Sequence, residues 1–152
     1  MSPRFPSPVI DQMLARGQIT RVAPNRAQSD QLPTQAEAHL RSAQVLRDAD
    51  TAGAFVLAYD AARKALTAIL LNQGLKPRGE GAHALLAEAV GSQLASALDL
   101  TGFSWMRTTR KSTGYGSDRH PGATAVDVDE AIEMATTIHQ RAGRVLDHMY
   151  PY

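Results

Sequence analysis

A chain of 152 residues, 43% hydrophobic and 20% charged, has the size and composition of one domain built on a single core, which excludes wholesale disorder. The absence of cysteine excludes a disulfide scaffold, a thiolate zinc centre and a cysteine nucleophile. A formal net charge of +1 excludes the global basic field of a DNA-coating protein, so any contact with nucleic acid has to come from a local patch.

The N-terminal stretch MSPRFPSPVIDQML lacks the apolar run of a secretory signal and carries three prolines, which predicts a flexible or extended arm. Within it, Val9 to Arg16 has a short helical pattern closed by Gly17, and ITRVAPN reads as extended chain or loop with Pro24 as punctuation. Residues 1–24 are therefore expected to form an arm with a short helix, and residues 25–150 a helical bundle. Between Asn25 and Ala49 the apolar residues Leu32, Ala36, Leu40, Ala43 and Leu46 recur at three- and four-residue spacing. Pro33 either starts this helix or kinks a longer one.

Asp50 and Thr51 offer caps for the strongest helix of the chain, AFVLAYDAARKALTAILLNQGL, expected to end at Gly74 with Pro77 just beyond. Its polar residues Asp60, Arg63, Lys64 and Thr67 fall at i, i+3, i+4 and i+7, one stripe on a cylinder that is otherwise apolar. Such a helix belongs at the centre of a bundle. The connector KPRGEGAH leads into a second apolar face, Ala82, Leu85, Leu86, Ala89 and Val90, and a further helix is predicted from Ala95 to Lys111. The last helix is expected to begin at Asp127 or Asp129 and to reach Met149, with Ala131, Ala135, Ile138, Ala142 and Val145 along one stripe.

No segment alternates with period two, so the expected fold is all-α: an up-and-down four-helix bundle with a short N-terminal helical appendage. The longest apolar run, Ala65 to Leu71, is broken by Thr67 and falls far short of the ~20 residues of a membrane span. A cytoplasmic protein without a membrane partner is expected.

The glycine-rich pieces RGEGAH and GYGSDRHPG follow no predicted strand and lack the spacing of a phosphate loop, so they read as connectors. His39, His83, His120, His139 and His148 include no H-E-x-x-H and no pair at i, i+4, so neither a metal nor another cofactor is expected. No G-x-S-x-G elbow is present. Arg107, Arg110 and Lys111 lie at i, i+3 and i+4 and so leave one side of a helix together. They form either a site for an anion or a solvated face paired to Glu130 or Glu133.

The YDAARKAL helix, the RG…AH connector and the R-x-x-R-x-x-x-x-Y segment, in that order over Asn25 to Met149, resemble the HEPN superfamily, in its actinobacterial-type branch. The resemblance implies a homodimer that binds RNA or a nucleotide. It further implies either a metal-independent endoribonuclease of the toxin type, held by a nucleotidyltransferase-like antitoxin, or a non-catalytic interaction module that partners such a protein. The family's active motif is an arginine followed by a polar residue and then, four to six residues beyond the arginine, a histidine. Arg110 matches the arginine, Lys111 the polar position, and Tyr115 stands where the histidine is expected. Arg110 and Tyr115 are thus the implied catalytic pair, with Arg107, Lys111, Arg63, Lys64 and His83 as phosphate contacts. A phenol titrating near ~10 is a poor base at neutral pH, so His83 or His120 becomes the candidate base.

Overall fold

Side-chain caps set the boundaries of the helices. In the computed structural model, which describes residues 6–79, 81–95, 98–114, 122–149 and 151–152, Ser7 accepts a bond from the Ile10 amide and opens α1, Pro8–Ala15, with proline in its first turn. Asn25 accepts from Gln28 N and opens α2, Arg26–Leu46. Asp50 accepts from Gly53 N and opens α3, Thr51–Asn72. Short strands follow α1 and α3: β1, Ile19–Arg21, and β2, Leu75–Pro77, pair antiparallel with Ile19 opposite Pro77 and Arg21 opposite Leu75. Then come α4, Ala82–Leu94, and α5, Thr101–Gly114. The last helix, α6, Ala125–Val145, begins with a capping box in which Thr124 and Asp127 satisfy each other's amides, and it ends in a 3-10 turn at Leu146–His148.

The chain is all-α apart from this one two-stranded ribbon among the described residues. β1 falls in ITRVAPN, expected as extended chain or loop, and β2 where a helix end and connector are expected, since three residues are too few for a period-two pattern to declare itself. Pro33 lies inside α2 rather than at its start, and α6 begins two residues before Asp127, at Ala125. The helix expected from Ala95 starts later, at Thr101, where the Asp99 carboxylate accepts from the Thr101 amide at 3.0 Å and supplies the stop-and-restart that Leu98 to Leu100 need.

α3 is the axis of the molecule, packed against α2, α4, α5 and α6. It buries Phe55, Tyr59, Leu66, Ile69 and Leu70 together with a row of alanines that lets neighbouring helices approach closely. Ala36, Leu40 and Ala43 of α2 and Ala131, Ala135, Ile138 and Ala142 of α6 face it, the same positions that carry the helical periodicity of the sequence. From Pro8 to Arg21 the N-terminal segment packs on the bundle. Ile10, Met13 and Ile19 are buried in the same core as the bundle, and β1 is tied to β2. No helix among the described residues is long and apolar enough to cross a membrane.

Candidate functional site

Two glycines build the corner that places the first functional side chain. Gly79 and Gly81 both have φ of +76°, in the left-handed region where a side chain is strained, and a Cβ on either would meet nothing within 4 Å. Conformation alone therefore demands glycine, and the turn delivers His83 to the first turn of α4. There the His83 Nδ1 lies 2.7 Å from the hydroxyl of Tyr59, which rises from the centre of α3. Tyr59 is fully buried, stacked on Phe103 with ring centroids 5.3 Å apart and planes 24° apart.

Seven residues further along α5, the guanidinium of Arg110 lies over the same Tyr59 ring, its carbon 5.6 Å from the centroid. Its Nε is buried and has no hydrogen-bond partner among the described residues. Arg107 and Lys111 flank it, so the i, i+3, i+4 spacing does project one cationic face. These three cations, Tyr59, His83 and the glycine corner line a solvent-open cavity of about 290 Å3. Gly81, Ala82 and Ala84, at the start of α4, also line it, and the N-cap Gly81 brings no side chain to the first-turn amides. Those amides leave the positive end of the helix dipole beside the cations.

The pairing of the basic cluster with Glu130 or Glu133 is not what the structure shows. Arg107, Arg110 and Lys111 enter no ion pair among the described residues. Glu130 and Glu133 line a different hollow, with Asp99 and Arg141. Arg63 is not among the lining residues, and its Nε lies 3.4 Å from Asp60 on the preceding turn. Lys64 turns to α2, where its Nζ lies 2.8 Å from His39 Nε2, so it is not brought to the cavity. Tyr115 and His120 lie outside the described residues.

Burial pushes the His83 imidazole below the usual histidine range, and the charges of Arg63 and Arg110 push the same way against Asp60. Burial raises the Tyr59 phenol, with Arg110, Arg63 and Arg107 opposing. Both displacements favour the uncharged forms, imidazole at His83 and phenol at Tyr59. Among the described residues no cluster of three or more histidine or acidic side chains is arranged to hold a metal ion.

Tyr59 lines the cavity although it is not among the site residues expected from the sequence. The signal was present: Tyr59 precedes Asp60 and stands four residues before Arg63, so it borders the polar stripe of α3. The family model for the HEPN domain matches residues 30–145, most of the chain, and the chain belongs to that family. No curated protein and no solved structure matches it.

Proposed function

We propose that this HEPN protein binds the phosphate of RNA or of a nucleotide in the cavity between α4 and α5, and that it acts there as a metal-independent endoribonuclease. One observation carries the reading: Arg107, Arg110, Lys111 and His83 share a cavity whose lining, among the described residues, holds no carboxylate. Guanidinium forks match phosphate oxygens in pairs, and in so small a space their charges repel unless an anion joins them. Arg110 stabilises charge gathering on phosphorus, and His83 is the candidate proton-transfer group within the described site. Tyr115, at the family's histidine position, is assigned to positioning. The YDAARKAL helix and RG…AH corner support placement in the actinobacterial-type branch, and the family's common habit supports a homodimer.

The occupant of the family's histidine position favours a second reading, in which the protein binds without cleaving and serves as a cytoplasmic module for a nucleotidyltransferase-like antitoxin. Titrating a labelled single-stranded RNA at several salt concentrations and following its integrity on a gel separates the two. Binding through about three phosphate contacts gives a log–log salt slope near −2, at about −0.7 per contact, and Arg110→Ala with Arg107→Ala flattens it. Intact RNA with a steep slope supports the module; RNA that neither binds nor breaks, identically in wild type and variants, overturns both.

A further inference from the structure

The cations of the cavity account for an anion, but not for the buried phenol fixed on His83. Tyr59 is fully buried, and its hydroxyl has a single hydrogen-bond partner among the described residues, His83 Nδ1. An imidazole has two ring nitrogens; with Nδ1 engaged, Nε2 is the one left for a ligand. The tyrosine ring is itself immobilised by Phe103 and Arg110 of α5. His83 is thereby oriented by a side chain that stands in the core rather than by a mobile surface group.

The surrounding charges decide what happens when the cavity fills. From α3, Tyr59, Asp60 and Arg63 act on His83; from α5, Arg107 and Arg110 do, with Lys111 on the same wall. Among the described residues the cations acting on His83 outnumber the carboxylates, so a proton on His83 is opposed by its neighbours until an anion binds. An anion seated among Arg107, Arg110 and Lys111 reverses the sign of that field. The imidazolium then has two acceptors for its two N–H groups: the Tyr59 oxygen for Nδ1–H and the anion for Nε2–H.

We propose that Tyr59 is a positioning residue for His83, and that the pair couples capture of an anion in this cavity to the uptake of one proton by His83. The inference rests on the phosphate-binding reading above and adds to it a proton and the residue that aims it. The proton comes from solvent and is released with the ligand, so a pH gradient acts directly on occupancy. Affinity for a non-titrating anion rises as pH falls between the histidine's values in the filled and the empty cavity.

Isothermal titration of the full chain with sulfate tests this, since sulfate keeps its charge from about pH 5.5 to 7.5 while histidine does not. Buffers of different ionisation enthalpy report the protons taken up. The expected result is net proton uptake on binding and an affinity that climbs with falling pH, by at most about tenfold per unit for one proton. His83→Gln is expected to abolish both, and Tyr59→Phe, which keeps the ring between Phe103 and Arg110, to lessen the uptake. In the free protein the ring 15N shifts of His83 are expected to show one neutral tautomer, becoming a mixture in Tyr59→Phe. Sulfate bound without proton uptake, or pH dependence that survives His83→Gln, overturns the proposal while leaving the anion site standing. So does a Tyr59→Phe variant that matches wild type in both tautomer and uptake. If wild type takes no sulfate at any pH, the phosphate-binding reading falls too.

Discussion

Arg110 offers a test in which stability and binding are expected to move in opposite directions. Replacing it with methionine keeps an unbranched stem of similar reach and removes the guanidinium. The structure sets two opposing magnitudes. The contact of the guanidinium with the Tyr59 ring at 5.6 Å stabilises by about 0.5–1 kcal/mol, more where it is desolvated. Against this, the buried Nε has no partner among the described residues, and an unmade bond at a buried donor costs about 1–3 kcal/mol. Removing both together leaves the ligand-free fold unchanged or more stable by up to about 2 kcal/mol, a rise in Tm of up to roughly 6 °C for a domain of this size. The assay is thermal unfolding with and without sulfate. Wild type gains by mass action, about 2.7 kcal/mol at a hundredfold excess over Kd, whereas Arg110→Met gains only the general salt effect common to both proteins. The reasoning is refuted if the variant loses more than about 1 kcal/mol without sulfate and still gains as much as wild type with it. That result makes Arg110 a structural residue.

Two further expectations concern the fold. Gly74 has φ of +73° and a Cβ there would lie 2.6 Å from the backbone oxygen of Val22, whereas Gly79 has φ of +76° with open space around it. Gly74→Ala is therefore expected to cost more than about 2 kcal/mol and Gly79→Ala only about 1–2 kcal/mol, read from urea midpoints; equal costs refute the steric argument. Burial first, and then neighbouring cations, hold His39 and His83 below the ordinary histidine value in the folded state. The unfolded chain therefore binds these protons more readily, so their contribution is full above about pH 6.5 and is lost as pH falls toward the folded values. Ligand-free protein should lose stability between about pH 7 and 5, and His39→Gln with His83→Gln should flatten that slope in denaturant titrations at the two pH values.

Legibility in the sequence follows the range of the forces involved. The caps at Asn25 and Asp50 act within three residues, and α2 and α3 start where these residues stand. The apolar stripes of α2, α3 and α6 are local periodicities, and most of their residues, Leu32 excepted, face the core. The spacing of Arg107, Arg110 and Lys111 is local too, and it declared a shared face. What that face meets is not local. It depends on the left-handed corner at Gly79 and Gly81 that brings His83 onto Tyr59, and on Phe103 holding Tyr59 from a helix some forty residues away in sequence. Tyr59 was hidden for a related reason, since a tyrosine in an apolar helix reads as core, which it also is. The ribbon of β1 and β2 joins segments more than fifty residues apart, and neither half carries a pattern of its own.

Trp105 is the only tryptophan of the chain, and it sits on α5 midway between Phe103 and Arg107. Its indole meets the Phe55 ring edge-on at 5.6 Å, against the same central helix that carries Tyr59. The molecule thus contains its own optical gauge on the element that bears the cations. A displacement of α5 against α3 when the cavity fills changes the indole's surroundings, and its emission can report occupancy with no label attached.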